Sequence, residues 1–194
     1  MLRRSFERLC VSMRGIAGGV QCAAARAPTN LACESRLHDP GGLRPISTSP
    51  GFVRDHRLAF NLPGFSLAEP AFASIAPAVG EECHGGVFEL SLADWARLCA
   101  TEGVPFGYRV VEVDVELYGG GCVSAWTLEG GVATPFGDLS PSARYLDLLR
   151  EGARELGLTR QWQERLAAVP AAPLGSRPAL RSESFERRPQ STFV

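Results

Sequence analysis

Glu102 is the residue of this chain best placed for acid–base chemistry, because it stands at the end of a short helical pattern and just before a stretch that reads as a strand. Ser91 is suited to cap that helix, Asp94 follows three residues later, and Leu92, Trp95, Leu98 and Cys99 recur at helical spacing. Gly103 is positioned to stop it. A carboxylate in the last turn faces the negative end of the helix dipole, so its ionisation is disfavoured and its pKa is expected to rise where the side chain is also buried. A carboxyl group of that kind can exchange a proton near neutral pH. Taken alone, the position also fits a solvated Glu-Gly pair at a helix end, which is the commoner case for a single ionisable residue.

Other groups narrow the chemistry. Glu112, Asp114 and Glu116 alternate with Val111, Val113, Val115 and Leu117, so the apolar set is expected to be buried and the acids to form a solvated outer row rather than a metal cradle. Gly119–Gly121 reads as a hairpin turn and not a phosphate loop, since no helix follows it. The six cysteines, at 10, 22, 33, 83, 99 and 122, show no Cys-x-x-Cys spacing, and no zinc site or other metal is expected. Cys99 and Cys122 read as small core residues, and the cysteine pattern suits a reducing compartment. All 20 basic residues are arginine, which excludes a Walker-type phosphate loop and a lysine Schiff base. A net charge of −1 without a basic stripe argues against a general nucleic-acid binder. No segment approaches the roughly 20 apolar residues of a membrane span.

The elements that must position these groups alternate along the chain. Strands are predicted at Arg57–Asn61, Ala71–Ile75, Gly85–Glu89, Val110–Tyr118 and Val123–Leu128. A long helix is predicted from Ser142 to Leu156, with Tyr145, Leu148, Leu149, Ala153 and Leu156 on one face and Gly157 as its stop. Arg160 to Val169 forms a further helical segment whose Trp162 and Leu166, four residues apart, are suited to pack on the domain. With 194 residues and 45% hydrophobic content, the chain is long enough for one domain with a sizeable core.

The run His84 to Tyr118, with its His-Gly-Gly-Val strand, short helix ending in Glu102-Gly103 and tyrosine-bearing strand, resembles the gamma-glutamylcyclotransferase family. Arg57–Asn61, Glu69–Ile75, Pro141–Leu146 and Gly152–Leu158 resemble further family segments in the same order. The resemblance implies an α+β domain, with a small, mixed, mostly antiparallel barrel-like sheet and flanking helices, over about residues 29–170. It implies an enzyme without cofactors that cyclises a small-molecule gamma-glutamyl substrate, releasing 5-oxoproline and an amino acid or peptide. Glu102 matches the catalytic glutamate, Tyr145 a substrate-binding tyrosine, and Thr29 and Asn30 the polar end of a Tyr-Gly-Ser-Asn substrate loop. Tyr145 by residue type fits a core position equally well. Pro28 departs from the loop pattern, because it lacks an N–H donor and cannot replace a glycine that needs positive φ. That departure motivates the alternative of a non-catalytic or weakly active member that binds rather than turns over its ligand. A transferase using the same glutamate is a third reading.

Residues 1–28 form an atypical segment, with five arginines against Glu7, that reads either as an organelle transit peptide or as a misassigned start. The run Cys22–Ala27 makes a poor central strand by composition. The location implied is cytoplasmic, or mitochondrial or plastid if the arginine-rich segment is a transit peptide. Residues 171–194 are rich in Pro, Ser and Arg and are expected to form a disordered tail. The oligomeric state is left open by the sequence.

Overall fold

Backbone hydrogen bonding in this chain is organised around two antiparallel hairpins. The structure, a computed structural model, describes residues 14–16, 19–26, 45–66, 68–102, 104–130 and 137–173. Among them run β1 (Arg14–Ile16), β2 (Gly19–Arg26), β3 (Ser47–Ser66), β4 (Glu69–Leu90), α1 (Leu92–Thr101), β5 (Tyr108–Leu117), β6 (Cys122–Gly130), α2 (Ala143–Glu155) and α3 (Arg160–Ala167). The strand order is β1-β2-β4-β3-β5-β6, and β2 also meets β6 in parallel at Ala24↔Trp126. Strands β2 to β6 therefore close on themselves in a barrel-like sheet, antiparallel except at that one junction, which is the α+β architecture expected. Among the described residues no helix is long and apolar enough to cross a membrane.

Two corrections concern the strands. The expected strands Ala71–Ile75 and Gly85–Glu89 are parts of one strand, β4, of 22 residues, and Arg57–Asn61 is a portion of β3, of 20 residues. The chain bends where it was expected to break. Between the pairs Arg54↔Glu82 and His56↔Pro77, residues 78–81 stand opposite Asp55 alone. Asp55 adopts φ 55° and its Oδ1 accepts the N–H of Gly80 at 2.7 Å, so the irregularity is absorbed locally. The second correction is β2. Gly19–Arg26 pairs with β4 from Cys22↔Leu90 to Arg26↔Gly86, despite a composition that reads poorly as a central strand. A position between β4 and β6 supplies hydrogen-bonding partners, and β propensity yields to such context.

The helices agree closely with their sequence signals. Ser91, Ser142 and Thr159 are the N-caps of α1, α2 and α3, each accepting a backbone N–H three residues on. Leu156 is the C-cap of α2, and Gly157 follows at φ 61°, a conformation costly for other residues. The acids of β5 do form an outer row: Glu116 pairs with Arg54, and Glu112 accepts from the Ser124 hydroxyl at 2.6 Å. Hydrogen bonding to Arg54 holds the Glu116 carboxyl below the usual range. Cys99 packs against the core, whereas Cys122 is exposed, contrary to expectation, because it opens β6 on the same face as the acids.

Two apolar clusters lie within this frame. The first gathers Phe60, Phe72, Phe88, Leu98, Tyr108, Leu128, Tyr145 and Leu146, and the second gathers Val53, Ile75, Val113, Val115, Ala125, Trp162 and Leu166. Helix α2 supplies Tyr145 and Leu149 to the first and Ala153 to the second. Trp162 and Leu166 are both buried, so the short α3 is held by its apolar face, Leu166 alone contributing about 1.5–3 kcal/mol.

The hairpins β3–β4 and β5–β6 are joined by only two register pairs, Gly51↔Leu117 and Phe52↔Glu116. A Cβ on Gly51 would come 2.7 Å from the Glu116 carbonyl oxygen and 2.8 Å from Val115 Cγ1. Gly51→Ala is expected to lower stability by about 1–3 kcal/mol, as overpacking against a backbone does. Urea unfolding checks this: the midpoint should fall with an unchanged slope.

Candidate active site

Glu102 is the C-cap of α1, its own N–H bonded to the Leu98 carbonyl at 2.9 Å. The residue is 6% exposed. Both conditions attached to it by the sequence, a position at the negative end of a helix and burial, are therefore met. Its burial follows from its neighbours: Leu98 and Cys99 before it, and Val104 and Tyr108 after it, all pack in or against the first core. Gly103, the expected helix stop, lies outside the described residues.

Tyr145 belongs to that same core and is 1% exposed, with its ring edge-on to Phe60 and Phe72. Its position is fixed from two directions. The first turn of α2 is capped by Ser142, whose hydroxyl also donates to Glu69 Oε2 at 2.6 Å, while Arg144 pairs with Glu69 Oε1 at 2.6 Å. Glu69 thus places negative charge at the positive end of the helix and ties it to the start of β4. At the other end of the side chain, Tyr145 Oη accepts the backbone N–H of Ala73 at 3.2 Å.

Ala73 explains a residue that sequence reasoning missed. The Tyr108 hydroxyl, at the start of β5, donates to the Ala73 carbonyl at 3.2 Å. Two phenols therefore hold the two polar groups of one peptide residue. Opposite Ala73, β3 carries Phe60 and Asn61 between the pairs Ala59↔Ser74 and Leu62↔Phe72, a bulge of two residues against one. Side chains supply here the hydrogen bonds that a regular ladder would give. The sequence offered one signal, a tyrosine six residues beyond Glu102.

Thr29 and Asn30 lie outside the described residues, as does Pro28. Of the expected site residues the structure describes Glu102 and Tyr145, both buried, Tyr145 in the first core and Glu102 at the end of a helix whose Leu98 belongs to it. The described residues on either side of 131–136 bond to β3 and β4. Gly130 N–H donates to Ser74 Oγ at 3.0 Å, Asp138 pairs with Arg57 at 2.8 Å, and Leu139 N–H donates to the Phe60 carbonyl at 2.9 Å. Among the described residues, no three His, Cys, Asp or Glu side chains are grouped so as to hold a metal ion. What the described residues offer chemically is a buried carboxyl group of a kind able to exchange a proton, on a chain whose first core also holds two phenol hydroxyls.

Comparison with known proteins adds to this geometry. Residues 82–166 match the AIG2-like family. The chain is 29% identical over 136 residues to the gamma-glutamyl cyclotransferase gliK of Claviceps purpurea, covering 66% of this chain and 61% of the relative. It is 32% identical over 98 residues to the gamma-glutamylcyclotransferase of Homo sapiens, covering 50% of each. The chain thus spans between half and about three-fifths of the length of these curated relatives. A solved gamma-glutamyl cyclotransferase shares the fold, with a TM-score of 0.66 at 23% identity over 78% of this chain and 89% of its own. An uncharacterized human protein of known crystal structure gives a TM-score of 0.58 at 26% identity over 65% of this chain and 77% of its own.

Tyr145→Phe removes the acceptor of the Ala73 N–H inside a closed core. A loss of about 1–3 kcal/mol is expected, the cost of a buried donor without its partner. Tyr108→Phe should act in the same direction through the carbonyl. Urea midpoints of the two variants check this, and unchanged values would show that the phenol bonds add no net stability.

Proposed function

Because the chain belongs to the gamma-glutamylcyclotransferase family, we propose that it catalyses intramolecular aminolysis of a gamma-glutamyl amide, releasing 5-oxoproline and an amino acid or peptide. The observation that carries the reading is the buried carboxyl of Glu102 at the negative end of α1. In this reaction the substrate's α-amino nitrogen attacks its own γ-carbonyl carbon. A C–N bond forms as the ammonium nitrogen gives up two protons, one to become the nucleophile and one as the lactam N–H is made, and the amide C–N bond breaks as the leaving nitrogen gains one and then a second to depart as an ammonium. One carboxylate can accept a proton from the attacking nitrogen and return it to the leaving amine. The remaining task is geometric: the substrate must be folded so that amine and carbonyl meet, and a rigid pocket supplies much of the acceleration by holding that conformer.

The other roles follow from the resemblance. Tyr145 is suited to donate its phenol proton toward a substrate carboxylate while its oxygen accepts from Ala73, since a hydroxyl can do both. Thr29 and Asn30 are assigned to the loop that holds the gamma-glutamyl group. No metal or organic cofactor enters the reaction. Three kinds of released amine fall within the proposal, a free amino acid, the Cys-Gly part of glutathione and a lysine-derived isopeptide.

Glu102→Gln keeps the size of the side chain and removes its proton transfer. Release of 5-oxoproline from a panel of gamma-glutamyl amino acids and glutathione is expected to fall by at least about 100-fold, the lower end of general acid–base catalysis. The urea midpoint should be at least that of the native chain. Turnover retained in the variant would refute the role of Glu102. Absence of product from both folded proteins would favour the binding-protein reading, which the substitution of Pro28 in the first loop motivates.

A further inference from the structure

His84 sits on β4 in register with Phe52 of β3, away from the Glu102 core. Its ring is enclosed by Phe52 at 5.3 Å, Tyr118 at 5.8 Å and Trp162 at 5.0 Å between centroids. Those rings come from β3, from the turn after β5 and from α3. His84 Nδ1 lies 2.5 Å from Tyr118 Oη, and the same oxygen accepts the backbone N–H of Thr159 at 3.3 Å. Thr159 is the N-cap of α3, and its hydroxyl accepts the Trp162 N–H at 3.3 Å. A phenol oxygen that accepts from Thr159 still has one proton to donate, and Nδ1 can receive it only while it carries none. In the Nε2–H tautomer the phenol donates to Nδ1 while it accepts from Thr159, and Nε2 lies 3.6 Å from Glu82 Oε2.

We propose that His84, Tyr118 and Thr159 form a pH-sensitive latch, which holds α3 against the sheet while the imidazole is neutral and loosens it when the imidazole is protonated. Protonation sets a hydrogen on Nδ1 against the phenol's own hydrogen. The hydroxyl hydrogen must then turn away, and the oxygen is shared between Nδ1–H and the backbone N–H of Thr159, which weakens the hold on the α3 cap. An imidazolium is also left among three aromatic rings, where it is poorly solvated.

The surrounding charges divide. Glu82, on β4 itself, favours the imidazolium, and Arg165 of α3 opposes it. Arg165 lies 5.5 Å over the Trp162 ring and is paired with Glu81. From β3, Arg54 stands 5.2 Å over Phe52 and is paired with Glu116 of β5 and with Glu82. Burial is the largest effect and holds His84 below its ordinary range, against the pull of Glu82. The unfolded chain then binds a proton more readily than the folded one. The latch contributes fully above the unfolded value of about 6.5, and its contribution is lost as the pH falls from there through the folded value.

The test uses the full chain. In proton NMR, the His84 ring resonance, identified by its absence from His84→Phe, is expected to titrate below about pH 6.5. Between about pH 7.5 and about pH 5 the unfolding constant of the native chain should rise several-fold more than that of His84→Phe. Over the same interval the Thr159 amide, corrected for intrinsic exchange, should lose protection. In Tyr118→Phe that protection should be low at both pH values because the acceptor of the Thr159 N–H is gone, and in His84→Phe it should not change with pH, which separates the latch from a general effect of acid. If His84→Phe does not fold, Tyr118→Phe identifies the same resonance by displacing it. Titration of His84 at or above its ordinary value, or Thr159 protection independent of pH, would overturn the proposal.

Discussion

Ala73 presents a constraint on which the first core depends: its N–H and C=O stand opposite a bulge, in a buried part of β4, and both require partners. Burying either group unsatisfied would cost on the order of 1–3 kcal/mol. Tyr145 and Tyr108 meet them with phenol oxygens from α2 and β5. One alanine consequently ties a helix and two strands together without contributing any side-chain chemistry itself. The tyrosines cannot be displaced far from their positions without leaving a peptide group unpaired, so they are held more firmly than packing alone would hold them.

Glu102 stands in the chain between elements that contribute to the same core. It leaves α1 between core residues, and the strand that follows begins with one of the two tyrosines. A proton-transfer group is useful when its position is fixed before the substrate arrives, because reorganisation during the reaction is then avoided. The second core has a different character. It is built from β-branched side chains of β5 with the apolar face of α3, and its polar element, at His84 and Tyr118, lies at its edge rather than at its centre.

Much of this was legible in the sequence. The cap at Ser91 and the helical spacing from Ser142 and from Arg160 announced three helices within one or two residues of their observed ends, because capping and helical periodicity are local properties. The alternation of β5 gave its buried and exposed faces for the same reason. Strand β2 was not legible, since a stretch of small residues becomes a strand through its partners β4 and β6. Nor was the continuity of β4, expected as the two strands Ala71–Ile75 and Gly85–Glu89, because the irregularity between them is bridged from the facing strand by Asp55, whose carboxylate accepts the Gly80 N–H. The bracket around Ala73 joins residues 35 and 72 positions apart in the chain, and no local pattern reports contacts of that kind.

The narrow junction at Gly51 and Phe52 also bears on how the chain reaches this state. Each hairpin closes over a short turn, so its contacts form at little cost in chain entropy, whereas the two register pairs between β3 and β5 unite segments far apart in sequence. The pairings of β2 with β4 and β6 span comparable distances. The entropy of closing the barrel is therefore concentrated in a few pairings between preformed ribbons, and the side-chain cores on either side of that junction must supply the free energy that holds it shut.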